Sequence, residues 1–160
     1  MKPDKYEIEL ESKIENLPVI SDFIDDTLIR FQAEADSIFK IQLAVDEVCT
    51  NIINYAYQGI SGSIKIHLEL IGDDIIITIK DKGKRFDPTS VPPPDVSSDL
   101  EQRKIGGLGI HFVKSLMDSI SYSFDPREGN ILSLRKKRVT GTNILHNKPE
   151  RMRNGKETGS

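Results

Sequence analysis

Cysteine is almost absent. Cys49 is the one cysteine in 160 residues, which excludes an intrachain disulfide framework. It stands in an apolar helical run, where a small core residue is expected rather than a reactive thiol. Long apolar stretches are missing too. No segment approaches the ~20 residues that a membrane-spanning helix needs. The start of the chain, Met1 to Leu10, alternates charge with apolarity, where a signal peptide would be continuously apolar. These absences suggest a reducing cytoplasm. Histidine is scarce and scattered: His67, His111 and His146 form no ligand-like cluster, and all three are read as structural or solvated.

Positive charge is in short supply. Lysine and arginine number 22 against 25 acids, a net charge of −3, which argues against nucleic acid as the partner of the whole chain. The balance is uneven. Arg135 to Ser160 holds eight basic and two acidic residues, so this end carries +6 and the remainder −9. The expectation is a solvated, disordered tail over residues 139–160. A nucleic-acid or membrane arm is the alternative. With 37% hydrophobic residues, a globular core can form, and the length suits a single domain over residues 1–138.

The pattern along the chain is legible. Tyr6, Ile8 and Leu10 alternate with charges, as in a half-buried strand. Pro18 can open a helix, and Ile20, Phe23, Ile24, Thr27, Leu28 and Phe31 follow helical spacing. A second helix is expected from Asp36, as its cap, to about Tyr57, with Ile41, Ala44, Val45, Val48, Ile52 and Ala56 on its apolar face. Residues 63–71 and 75–80 read as a hairpin across the turn Gly72–Asp74. Residues 87–104 hold four prolines and no periodicity, so they form a long loop of the kind that often serves as a lid. Helical spacing resumes from Ile110 to Met117. Residues 119–124 and 131–134 look like strands, with a turn at Arg127–Asn130. The order β-α-α-β-β-loop-α-β-β predicts an α+β, two-layer α/β sandwich: a mixed, mostly antiparallel sheet covered on one face by helices.

Three clusters could carry chemistry. Glu47 and Asn51 are one helical turn apart, with Asn54 a further turn along. A carboxylate and an amide so spaced suit a hydrated Mg²⁺, and an ordinary polar stripe would look the same. Asp81-Lys82-Gly83 leaves a strand. There glycine lets backbone approach a flat ligand while the acid accepts a hydrogen bond from it, although a charged turn is the plainer explanation. Gly106-Gly107-Leu108-Gly109 precedes a helix, where free amides bind phosphate. It is neither a P-loop nor a dinucleotide fingerprint.

Taken together, Glu47-x-x-x-Asn51, Asp81-x-Gly83-x-x-Phe86-Asp87-Pro88 and Gly106-Gly107-Leu108-Gly109-Ile110 resemble the asparagine box and two glycine boxes of the GHKL (histidine kinase-like) ATPase superfamily. The stretches "VDEVCTNIINYAY", "DKGKRFDP", "GGLGIHFVKSLMDSISYS" and "GNILSLRKK" look most like its anti-sigma-factor serine/threonine kinase branch. The resemblance spans about Tyr6 to Arg138. It implies a Bergerat-type fold with residues 87–104 as the ATP lid. It implies ATP and Mg²⁺ as cofactors, with Asp81 accepting from the adenine amino group and Gly83 clearing the base. Asn51 would ligate the metal, Asn54 would be a weaker contact, and Gly107, Leu108 and Gly109 would hold phosphates. Glu47 would be the general base, and Lys104 is assigned to a phosphate by position. The implied partners are an anti-sigma-factor antagonist-like protein, a sigma factor and a second copy of the chain. A nucleotide-gated binding module without catalysis is the rival. One departure stands out: Arg85 occupies the place where many superfamily members carry a further glycine. A histidine-kinase reading is weak, since no helix bearing a phospho-accepting histidine precedes the domain.

Overall fold

A computed structural model describes residues 3–90, 92, 107–137 and 139–140. Strand β1 is Lys5–Glu11, helix α1 Leu17–Arg30 and helix α2 Ala35–Asn51, continued by a π-turn at Ile52–Ala56. Strands β2 (Ser63–Ile71) and β3 (Asp74–Asp81), helix α3 (Gly107–Leu116), and strands β4 (Ser119–Asp125) and β5 (Gly129–Lys136) follow. The five strands form one sheet in the order β1-β2-β3-β5-β4.

Every pairing in that sheet is antiparallel, so the expected mixture of directions is not found. The connection through α3 delivers the chain to the far edge as β4. The chain then turns back at Pro126–Glu128, and β5 enters between β4 and β3, running against both. The β2–β3 loop has two residues between the pair Ile71 and Asp74. Gly72 sits at φ 62°, as a type II′ turn requires at its first central position.

The core lies between the sheet and the helices. Ile64, Ile66 and Leu68 of β2, Ile75, Ile77 and Ile79 of β3, and Leu132 and Leu134 of β5 turn inward at every second position. They meet Ile20, Ile24 and Leu28 of α1 and Ile41, Val45 and Val48 of α2. Each such side chain contributes about 1.5–3 kcal/mol on leaving water. Cys49 is fully buried among them, and burial pushes its thiol pKa far up, as expected of a core residue.

Two boundaries differ from those expected. Glu34, in extended conformation, caps α2, whereas Asp36 lies in the first turn and pairs with Lys40 at 3.0 Å. Val139, expected as the first residue of the tail, is instead fully buried. Its N–H donates to the Asp73 carbonyl at 2.7 Å, its carbonyl accepts from the Glu34 N–H at 2.7 Å, and Thr140 bridges Ala33. The chain after β5 therefore fastens the β2–β3 turn to the α1–α2 joint. Residues 141–160 and 93–106, which include most of the expected lid, lie outside the described residues.

Candidate functional site

The file of β3 side chains facing the helices runs Ile75, Ile77, Ile79 and then Asp81. Period-2 alternation thus carries a carboxylate to where another isoleucine would stand. On β5 the same face runs Leu134, Leu132 and then Asn130, and Asn130 is the cross-strand partner of Asp81. Two apolar files therefore end on one polar rung, with Asp81 8% and Asn130 5% exposed.

Above this rung lies a cavity of about 310 Å³, the size of a small-molecule site. One face of α2 and its π-turn lines it, through Val48, Asn51, Ile52, Tyr55 and Ala56. Ile79 and Asp81 form its floor with Leu132 and Tyr122, while Ile110 and Val113 of α3 close one side. Lys84, Phe86 and Pro88, following β3, border the rest. The lining is mostly apolar with a few convergent polar groups, as in sites for flat ligands.

The polar end is tightly organised. Asp81 Oδ1 accepts from Asn130 Nδ2 at 3.0 Å and from the Gly83 N–H at 3.0 Å. Burial pushes the Asp81 carboxyl above its ordinary value, and these two donors pull it back. Asp81 Oδ2 has no partner among the described residues. Asn130 Nδ2 also donates to the Lys84 carbonyl at 3.0 Å. Its Oδ1 accepts from Tyr122 Oη at 2.6 Å and from the Phe86 N–H at 3.2 Å.

Gly83 is fixed by space. A Cβ there would lie 2.5 Å from the Ala56 carbonyl oxygen, which itself accepts from the Lys84 N–H at 2.7 Å. The π-turn supplies that carbonyl, and π-turns recur at functional sites. Tyr57 adds a second tie: its hydroxyl accepts from the Lys82 N–H at 2.8 Å and donates to the Ser63 carbonyl at 2.5 Å.

At the other end, Asn51 Nδ2 donates to Glu47 Oε1 at 3.4 Å, so the pair shares one helical face as its spacing predicted. The α3 helix starts at Gly107 against this pair. A Cβ on Gly109 would collide with Glu47 Oε1 and lie 2.8 Å from its Cδ, so this glycine permits the close approach of α3 to Glu47. Asn54 is exposed and is not part of the cavity wall. The π-turn sets Tyr55 and Ala56 in that wall instead. Leu108 is the second residue of α3, its side chain lies outside the described residues, and so does Lys104. Arg85 is not among the residues lining the cavity, and its guanidinium lies over the Phe124 ring, 4.6 Å from its centroid. His111 Nε2 lies 3.0 Å from the Pro92 carbonyl. Among the described residues no three His, Cys, Asp or Glu side chains gather as a metal site, and no helix is long and apolar enough to cross a membrane.

Residues 10–136 match the histidine kinase-like ATPase domain family. A serine-protein kinase RsbW from Bacillus cereus is 31% identical over 126 residues, covering 76% of this chain and 79% of the relative. The Staphylococcus aureus serine-protein kinase RsbW is 30% identical over 131 residues, covering 78% and 82%. The chain belongs to the anti-sigma-factor serine kinase branch of the histidine kinase-like ATPases. A further member of this branch, from Halalkalibacterium halodurans, is 30% identical over 139 residues, covering 84% of each chain. Among solved structures, the RsbU and RsbW domains of a Mycobacterium tuberculosis protein share the fold. The TM-score is 0.61 at 17% identity, covering 85% of this chain and 32% of that one. The stretches that resemble the asparagine box and the first glycine box lie on α2 and after β3, and Gly107-Leu108-Gly109 of the third stretch begins α3. Asn130 and Tyr57 lie within stretches that carry the family resemblance, "GNILSLRKK" and "VDEVCTNIINYAY", but neither takes a role from the sequence. Asn130 had one visible signal, its position two residues before Leu132 in an inward-facing file, which the turn-like "EGN" obscured.

Proposed function

We propose that this domain binds ATP with Mg²⁺ in the cavity. It then transfers the terminal phosphoryl group to a serine or threonine of a small anti-sigma-factor antagonist-like protein. The observation that carries this reading is the pairing of a buried acceptor, Asp81, with a carboxylate–amide pair, Glu47 and Asn51, at the two ends of one apolar slot.

The residues present fit both cofactors. Asp81 Oδ2 is the open acceptor for an exocyclic amino group, and Gly83 keeps the backbone clear of the base. The bare Gly109 and the start of α3 leave amides of Gly107, Leu108 and Gly109 for phosphate oxygens. Lys104 is kept as a phosphate contact on sequence position alone. Asn51 donates through Nδ2 to Glu47, so its Oδ1 remains for a hydrated cation. Magnesium bound there neutralises phosphate charge. Glu47, oriented by Asn51, takes the proton from the incoming hydroxyl. By resemblance to its branch, the domain works in the cytoplasm as a homodimer and also holds a sigma factor, exchanging partners as nucleotide and phosphorylation change.

Glu47→Gln tests the catalytic role. The variant is expected to bind ATP as the wild type does, by calorimetry, and to lose phosphorylation of an antagonist protein followed by mass spectrometry. Retained transfer would remove Glu47 from the mechanism. ATP binding by the wild type with no transfer to any antagonist would make the domain a nucleotide-gated binding module.

A further inference from the structure

The polar rung under the cavity contains more than the acceptor that touches a ligand. Asn130 is 5% exposed and every polar atom of its side chain is engaged. Both acceptor positions of Oδ1 are filled, by the Tyr122 hydroxyl at 2.6 Å and the Phe86 N–H at 3.2 Å. Nδ2 donates to Asp81 Oδ1 and to the Lys84 carbonyl, each at 3.0 Å. Turning the amide over would set its oxygen against a carboxylate and a carbonyl, and its NH₂ against the Phe86 N–H. The network therefore fixes which end faces Asp81.

This orientation has a consequence for the carboxylate. Asp81 sits in an apolar wall, where burial alone favours the neutral acid. A neutral carboxyl carries a hydroxyl and can donate as well as accept. The donation from Asn130 and from the Gly83 N–H favours the ionised form, which only accepts. With Oδ1 occupied by those two donors, Oδ2 is the atom left to meet a ligand.

We infer that Asn130 is a specificity-determining positioning residue. By donating to Asp81 across the sheet, it keeps that carboxylate an acceptor alone, so the cavity selects a purine with an exocyclic amino group over one with a carbonyl there. The inference rests on the nucleotide reading above and concerns how the base is discriminated. Discrimination of this kind comes from leaving a buried polar group unpaired by the wrong ligand. A carbonyl facing Asp81 Oδ2 would set acceptor against acceptor.

The test is calorimetry of the full chain with ATP and with ITP, each with Mg²⁺, for the wild type, Asn130→Leu and Asn130→Asp. The wild type should prefer ATP by on the order of a hundredfold or more. In Asn130→Leu the carboxyl loses its cross-strand donor and the ATP-to-ITP ratio should fall about tenfold or more, as expected for a charged hydrogen bond. Asn130→Asp keeps the side-chain shape and the acceptors for Tyr122 and Phe86. It forces two carboxyls to share a proton, and should lower the ratio similarly if the leucine variant does not fold. A folded variant that keeps the wild-type ratio overturns the inference, even if both nucleotides bind more weakly in step. A wild type that binds ATP without preference over ITP overturns it while leaving the proposed function intact. A wild type that binds neither removes both.

Discussion

Replacing Asp81 by asparagine separates binding from folding, because the geometry dictates where the new amide must point. Oδ1 of residue 81 receives two donors, Asn130 Nδ2 and the Gly83 N–H, each at 3.0 Å. An asparagine satisfies both only by placing its own oxygen there, which turns its NH₂ into the cavity at the position of Oδ2. The acceptor for the base becomes a donor, with no change in volume. Losing a hydrogen bond to a charged group costs about 1.5–3 kcal/mol. The expected outcome is a rise of about 10- to 100-fold in the Kd for ATP. Stability should move the other way. Burial raises the Asp81 carboxyl above its ordinary value. Its contribution to stability is therefore fully present below the unfolded-state value and is lost as pH rises through the folded one. Without ligand, Asp81→Asn should melt at or above the wild-type temperature at neutral pH, and the two should converge on acidification. Calorimetry with ATP and thermal melts across pH provide the readouts. An unchanged Kd in a folded variant would refute the placement of the base against Asp81.

Gly109→Ala should leave the fold intact or stabilise it by up to about 1 kcal/mol, since alanine is the better helix residue and the atoms it meets are the movable end of Glu47. Displacing that carboxylate should slow phosphoryl transfer by roughly a hundredfold, measured beside ATP affinity and melting temperature. Cys49 is fully buried, with its thiol pKa raised by desolvation and by the nearby Asp46. It should resist a thiol-specific reagent in the native protein and react once denaturant unfolds the chain, as mass spectrometry would record.

The elements were legible because their periodicities are strong. Alternation in β2 and helical spacing in α1 and α2 reflect burial on one face, and burial selects side chains position by position. Sheet direction was less so, since the path of β5 back between β3 and β4 depends on long-range pairing that no local pattern encodes. The π-turn at Ile52–Ala56 was also hidden. Its residues are consistent with a continuing α-helix, and what distinguishes the turn is the Ala56 carbonyl held by the Lys84 N–H, 28 positions later. At the candidate site, motif spacing singled out Glu47, Asn51, Asp81, Gly83 and Gly109, and the fold sets Asn51 and Asp81 in the cavity wall with Glu47, Gly83 and Gly109 beside them. Asn130 was not singled out, because it acts through Asp81 and meets it only when the sheet is formed. Val139 was missed for a related reason: a lone valine in a basic stretch gives no periodic signal, yet it fills a core position.

The polar rung has a consequence for inheritance. Asp81 and Asn130 terminate two rows of isoleucine and leucine whose remaining members already hold the layers together. A descendant sequence carrying aliphatic residues at both places would simply extend the rows by one step. The cost falls on the groups that the rung now satisfies: the Gly83 and Phe86 N–H, the Lys84 carbonyl and the Tyr122 hydroxyl would each lose a partner. In this architecture the rung serves scaffold and site together, so a lineage that abandons the ligand must also find new partners for the backbone that leaves β3.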